Sequence, residues 1–553
     1  MAPGLGFKGG ILGIGEEVVY GTAVARDRFI EMNSDGLDTA EGRIHSAAIP
    51  DIAADSDEVA QGAVDPAGSI EFEMRYEGME RLLKHAMGSV DTVEVASFVV
   101  GATNKFLDIK EDGGGDLNAT LTEATYKMGE RGHYEIDATN NKINFKEDGG
   151  AELTATLAAA EYATAALLAA QIKTQLEAAG AGTYTVAYSA TTNKFSITAT
   201  AGVTTFQILW KTGTNGADGT DTHPGALLGF LDTKDGIDDT STTSDYSTFD
   251  PDGTLCAEIK TQLEAAGAGT YTVTFSNTTK KITIAVAGVI AATQFLWKTG
   301  THGSDGTDTS AVTLLGFTAG ADGASVASVT ADSAVVTVFD STFKLADELP
   351  TGLTLEVDRD LRGFTTEGCK IGNISFAQDS AGFLIGTIEV IGEDTNATAV
   401  TASTLPTKPL VDFADFSFTY NGAIILTSFD FTLNNNLKGD RRFIGSRLRY
   451  EPKRAGKRDV TGSFAAEYEN EDQYDDYRAM TSRAIVGTAT GAVIKAAITY
   501  TLTITFPVCK LTKGVPLMSD ESVIMYEHEF KAYSTDSSTR ELTIVIRNTL
   551  SRV

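Results

Sequence analysis

Cysteine and tryptophan are nearly missing from this chain of 553 residues, which holds three of the first and two of the second. Three cysteines, far apart and odd in number, do not build a disulfide framework. Positive charge is scarce too: 44 Lys and Arg stand against 75 Asp and Glu, a net charge of −31. Gripping nucleic acid rests on neutralising phosphates with Lys and Arg, so this balance excludes a tight DNA or RNA binder. No run of 18 or more apolar residues occurs and no secretory leader opens the chain, so no membrane-spanning segment is expected, and synthesis in a cytoplasm is.

Catalytic signatures are absent as well. The six histidines are scattered, with no HExxH, no P-loop and no GxSxG elbow. The paired acids in GGILGIGEEVVYG have no evident buried partner for acid–base work. GADGTDTH at 216–223, echoed by GSDGTDTS at 303–310, offers Asp218, Asp221, Asp305 and Asp308 as oxygen donors for calcium. Their spacing does not fit the twelve-residue calcium loop, and Asp-Gly with Thr is ordinary turn chemistry. No enzyme, cofactor, catalytic residue or metal ligand is therefore expected.

What the chain does hold is repetition. In GSIEFEMRYEGMERLLKHAMG at 68–88, Ile70, Phe72, Met74 and Tyr76 alternate with Glu71, Glu73 and Arg75, the pattern of a strand with one buried face. Met79, Leu82, Leu83, Ala86 and Met87 then fall at helical spacing, and Gly88 is placed to stop the helix. GSFAAEYENEDQYDDYRAMTS at 462–482 repeats the plan at a step of 394. The expected core is Ile70, Phe72, Met74 and Leu83 in the first copy and Phe464, Tyr468, Tyr477 and Met480 in the second. Upstream, Tyr20, Ala23, Phe29, Leu37 and Ile44 face Tyr420, Ala423, Phe429, Leu437 and Ile444 at a step of 400. Downstream, Cys369-Lys370 answers Cys509-Lys510, both cysteines reading as buried small hydrophobes. Ala86 to Cys369 spans 283 positions but Met480 to Cys509 only 29, so the first copy carries about 254 extra residues.

The insertion repeats internally. IKTQLEAAGAGTYTV at 172–186 returns unchanged at 259–273, and the step of 87 holds at Trp210 and Trp297. Each copy reads as a helix followed by short strands, with modules at about 143–231 and 250–320. A shorter echo sets KEDGGGDLNATL at 110–121 against KEDGGAELTATL at 146–157. The FQILW pattern puts the tryptophans in strand core; the competing reading makes them sugar-stacking residues on an adhesin surface.

The fold class expected is mainly β (β+α): two homologous β-sandwich or barrel-like domains, each with one helix, plus an inserted pair of repeated small α+β modules. Residues 1–91 and 346–393 form the first domain, 92–345 the insertion, 394–412 a linker and 413–553 the second domain. Residues 1–19, rich in glycine, read as an arm, and 37–66 as a long polar loop. In the second domain Asn421-Gly422 suits a hairpin turn with Ile425–Leu433 returning, and the helix opens near Asn470.

The succession LGIGEEVVYGTAVARDRFIEMNSDGL, a long loop, GSIEFEMRYEGMERLLKHAMG, then GLTLEVDR and GCKIGNISF resembles the tail tube proteins of long-tailed bacteriophages, specifically those with a duplicated tube domain. The resemblance covers roughly 10–90 and 345–553, and the large insertion departs from the minimal family pattern. It implies a structural virion protein in the phage tail, made in the host bacterial cytoplasm, whose rings stack into a hollow conduit for DNA ejection. Its partners would be itself, as three chains per ring, and other tail proteins, with DNA passing without tight binding. The alternatives are a receptor-binding or surface-decorating virion protein acting through the insert modules, or a baseplate or type VI-like tube ring.

Two long loops at equivalent positions carry opposite charge. Residues 35–65 hold eight acids against Arg43, while 433–460 hold nine basic residues against three acids. Asp51, Asp55, Asp57, Glu58, Arg441, Arg442, Arg447, Arg449, Lys453 and Arg454 are the candidate contacts between rings.

Overall fold

The computed structural model describes the chain outside residues 1–9, 18, 46–58, 129–133, 137–139, 163–164, 190–193, 221, 226, 231–233, 245–254, 277–278, 406, 408, 496, 517, 519–522, 536–538 and 551–553. The protein is mainly β, with four α-helices among the described residues. It divides into two compact units, 1–91 with 340–548 and 553, and 92–339 with 549–552.

The first unit begins with β1 (Ile11–Glu17), β2 (Arg28–Glu31), β3 (Asp38–His45), β4 (Val59–Glu73) and α1 (Glu80–Met87). It resumes with β5 (Gly352–Asp358), β6 (Gly363–Asp379), β7 (Ile385–Ile391) and β8 (Asp394–Thr398). The second copy supplies β9 (Phe416–Tyr420), β10 (Ala423–Ile424), β11 (Leu426–Asn434), β12 (Asp459–Glu467), α2 (Asp472–Ala479), β13 (Arg483–Lys495), β14 (Ile498–Lys513), β15 (Met525–Ala532) and β16 (Thr543–Asn548).

Strand β6 is the hub. Its first half pairs with β5 and β8, and its second half with β7 and with β11 of the other copy, from Asn373↔Asn434 to Asp379↔Ser428. Antiparallel pairing then runs β3–β4–β7–β6–β11–β12–β15–β14–β13–β9–β10. Strand β14 is forked in the same way, with β13 and β16 along its first half and β15 along its second. The two forks match in register: Cys369 faces Leu353 and Lys370 faces Ile391, while Cys509 faces Arg483 and Lys510 faces Lys531. The buried residues of both copies form one core cluster, with Ile70, Phe72, Met74, Leu83 and Phe464 all at most 1% exposed.

The alternation in β4 and β12 buries one face, and one glycine in each is obligatory. A Cβ on Gly68 would lie 2.0 Å from the Gly36 carbonyl oxygen, and one on Gly462 2.4 Å from that of Asp430. Gly36 and Asp430 are themselves a step of 394 apart, as are Asp35↔Ile70 and Phe429↔Phe464 in the ladders. The pairing thus keeps 394 throughout this hairpin, and the step of 400 read upstream follows residue type rather than register.

Several boundaries differ from the sequence expectation. Within 1–19, residues 11–17 are a packed strand pairing with β2 and β5, because Leu12 and Ile14 enter the core and Gly15 lets the Ala25 carbonyl approach to within 2.7 Å of where a Cβ would stand. The stretch 37–66 is the hairpin β3–β4 with 46–58 outside the described residues; β3 is exposed along nearly its whole length and so shows no alternation. Strand β8 lies in the stretch read as linker. The boundary between units falls at 339/340 because Phe343 and Leu345 belong to the core of the first unit. The turn at Asn421 (φ 53°) and Gly422 (φ 136°) forms, but β9 pairs with β10 only to Ile424, and β11 turns away to pair with β6 and β12.

In the second unit two cores share one plan. The first draws on 98–128 and 255–335, the second on 136–230, so in chain order the second module is nested inside the first. The echo at 110–121 is therefore the N-terminal hairpin of the module that holds 259–273. Glu147 accepts hydrogen bonds from the backbone N–H groups of Ala181 (2.8 Å) and Gly182 (2.9 Å) and the Tyr184 hydroxyl (2.7 Å). Glu111 does the same from Ala268 (2.8 Å), Gly269 (3.0 Å) and Tyr271 (2.7 Å). This anchor at the helix end gives the unchanged AAGAGTY segment a structural job. Trp210 and Trp297 are each 2% exposed in their cores, stacked on Phe230 and Phe317.

Candidate functional site

The candidate surfaces lie at the two ends of the hairpin β11–β12. At one end, where Asn434 faces Asp459, the chain runs through the basic loop 435–458. At the other, where Leu426 faces Ala466, a groove opens beside the β9–β10 turn.

Much of the loop's positive charge is satisfied within the chain. Arg449 is buried and reaches the Asp65 carboxylate, the Pro66 carbonyl (3.2 Å) and the Gly392 carbonyl (3.0 Å). Arg442 donates to Asp65 and to the Val64 carbonyl (3.0 Å), and Arg447 to Gln61. Arg441 donates to the Glu451 carbonyl (2.6 Å), Lys453 pairs with the Glu451 carboxylate (2.8 Å) and Arg454 donates to the Asp347 carbonyl (2.7 Å). Asp65 and Gln61 were not among the named candidate contacts, although both lie in the acidic stretch 35–65, on the part of it that forms β4. Asp51, Asp55, Asp57 and Glu58 lie outside the described residues.

Beyond these pairs the loop ends in an apolar tip. Ile444 is fully exposed, Phe443 and Tyr450 about half, their rings meeting edge to face with centroids 4.7 Å apart. Gly445, at φ 105°, supplies the left-handed turn that presents them. A lone exposed isoleucine is unremarkable, but a braced apolar cluster between arginines has the composition of interface cores.

The groove, of about 850 Å³, is floored by Phe416, Phe418, Ile424, Phe429 and Phe464. Asp379, Glu467 and Glu469 stand among its lining residues, and no Lys or Arg does. His528 in its wall is buried, which pushes its imidazole down to about 4 and keeps it neutral at pH 7. Ile425 projects at its mouth, 89% exposed. Neither groove nor tip was legible in the sequence, since the groove exists only because β11 leaves β9–β10 after Ile424.

The helices explain the asymmetry between the copies. All eight residues of α1 are buried: Arg81 donates to Asp27 and the Ile14 carbonyl, and Lys84 and His85 reach Glu16, so strand β1 and Asp27, just before β2, lie against the helix. In α2 only Asp476 is buried, accepting from Arg483 (2.8 and 3.0 Å) and the Tyr420 hydroxyl (3.2 Å). Met480, expected in the core, is 63% exposed. It takes the left-handed cap position (φ 54°) that Gly88 fills after α1 (φ 107°), a step of 392 rather than 394. Tyr468 and Tyr477 are half-buried.

Cys369 and Cys509 are buried free thiols, and burial raises both, Cys509 to about 12. The Asp-Gly loop at 303–310 is a hydrogen-bonded turn, with Asp305 N–H donating to the Lys298 carbonyl (2.9 Å) and Asp308 N–H to that of Gly303 (3.1 Å). Asp218 N–H bonds the Lys211 carbonyl (2.9 Å), and Asp221 lies outside the described residues. Among the described residues no group of three or more His, Cys, Asp or Glu is placed to hold a metal ion, and no helix is long and apolar enough to cross a membrane.

The chain was compared with known proteins. The family model described as phage tail tube protein matches residues 8–532. No curated protein matches.

Proposed function

This chain belongs to the phage tail tube protein family and is a structural protein of the virion tail, and on that premise we propose that it is the subunit of a ring, three chains per ring, that stacks into the conduit for DNA ejection. The observation that carries this reading is the doubled fork. Strands β6 and β14 branch with the same register, and β6–β11 pairing joins both copies in one hydrogen-bonded series. One chain therefore supplies two equivalent sectors, and three chains supply six. Ring closure by a head-to-tail contact also covers sheet edges that would otherwise invite aggregation.

The insertion holds thirty acidic and fifteen basic residues, so −16 of the −31 remains on the tube-forming part. A lining of that sign lets DNA pass without holding it, and the protein performs no catalysis. Submicromolar DNA binding at physiological salt contradicts this. The function is tested by electron microscopy of the purified chain: tubes or stacked rings are expected, and dispersed particles that bind host cells instead favour an adhesin.

A further inference from the structure

We propose that the apolar tip Phe443–Ile444 of one copy seats in the groove beside the β9–β10 turn of a second copy, so that copies join end to end along the β11–β12 hairpin. The inference rests on the ring-stacking reading and names the contact that stacking uses.

Four observations support a second copy as the occupant. The tip is apolar, and although the floor rings Phe418, Phe429 and Phe464 are already buried, Phe413 and Ile425 of the groove lining stand in water, so docking buries Ile444 against surface that both sides leave exposed. The charge is complementary around both: Arg441, Arg442 and Arg447 flank the tip, while the groove is lined by Asp379, Glu467 and Glu469 with no cation among them. The intrachain bonds of those arginines fix the loop in place, which lowers the ordering cost of docking it. Tip and groove also sit at opposite ends of one hairpin, Asn434↔Asp459 and Leu426↔Ala466. A contact between opposite ends is head to tail and propagates, whereas like ends meeting would stop at a pair. At about 3.3 Å per residue the nine residues of β11 set tip and groove roughly 30 Å apart.

Each chain offers the tip 443–444 and the groove beside the β9–β10 turn. Arg449 and Asp65 act here only by holding the loop, and Ile444, which stands in solvent, is the residue that docks.

The test places Ile444→Cys and Ile425→Cys in one full-length chain, allows assembly and then oxidises; the three native cysteines are buried. A ladder of covalent oligomers reaching many chains is expected, with no ladder from either single variant. Separately, Ile444→Asp, at a fully exposed site, is expected to raise the concentration needed for tube formation at least tenfold while rings persist. Tubes that form without the ladder, or that tolerate Ile444→Asp unchanged, overturn the docking contact and leave the stacked-ring reading standing. Capture of Ile425→Cys only by a different tail protein assigns the groove to that partner and likewise overturns it. A native chain that forms neither rings nor tubes removes the stacking reading itself.

Discussion

Glu80 opens α1 inside the core, 3% exposed, its carboxylate accepting from the Gly78 N–H (2.8 Å) and the Asn548 side-chain amide. Burial raises its carboxyl to about 7, the hydrogen bonds opposing but not cancelling the effect. The folded value lies above the unfolded 4.5, so Glu80's contribution to stability is full below about pH 4.5 and is lost as pH climbs through 7. The loss is on the order of 3 kcal/mol. Denaturant midpoints measured from pH 5 to 8 should fall more steeply for the native chain than for Glu80→Gln; parallel curves contradict the assignment. Nothing in the sequence marked this residue, because a Glu in a first helical turn ordinarily faces water and favours the dipole. Its burial comes with a contact distant in sequence, Asn548 on β16, which no local pattern announces. By contrast, Ile70, Phe72 and Met74 were legible at once, since a period of two has one physical meaning when a single face is buried.

At the scale of elements, the two helices differ most at their ends. Gly88 takes the left-handed cap at no steric cost, whereas Met480 takes it with a side chain that lies in solvent and contributes no burial. Met480→Gly is therefore expected to stabilise the second copy by about 1 kcal/mol. Chemical denaturation followed by a probe in the tube-forming unit reads this directly, and a loss of stability would show that Met480 packs against something. The sequence placed both helices correctly because their flanking strand pattern repeats, yet it set Met480 two positions off, since α2 carries little apolar stripe to fix its register. Strand β1 was hidden by its glycines, which normally disfavour a strand but here admit a neighbouring backbone. Strand β3 was hidden by solvent on nearly every residue. The groove was hidden because it depends on where β11 parts from β10, a three-dimensional event with no local sequence signal.

For the molecule as a whole, the insertion is separable in the chain. Unit boundaries at 91/92 and 339/340, with Phe343 and Leu345 kept in the main core, define the cut. We predict that the insertion lies outside the tube wall, so a chain joining residue 91 to 340 should fold and form rings. Circular dichroism and electron microscopy check this together, and a folded protein that no longer forms rings counts against it. The repetition that revealed the insertion was legible because copied modules keep the same anchors, Glu111 and Glu147 among them. The nesting was not, since two helices that share IKTQLEAA give no sign of which hairpin each one joins.

The claim that one chain spans two sectors is tested most directly by the symmetry and mass of a single assembled ring. Threefold symmetry with six similar sectors is predicted, from three chains of 58.4 kDa and a ring of about 175 kDa. Strict sixfold symmetry from six chains, about 350 kDa, would contradict it.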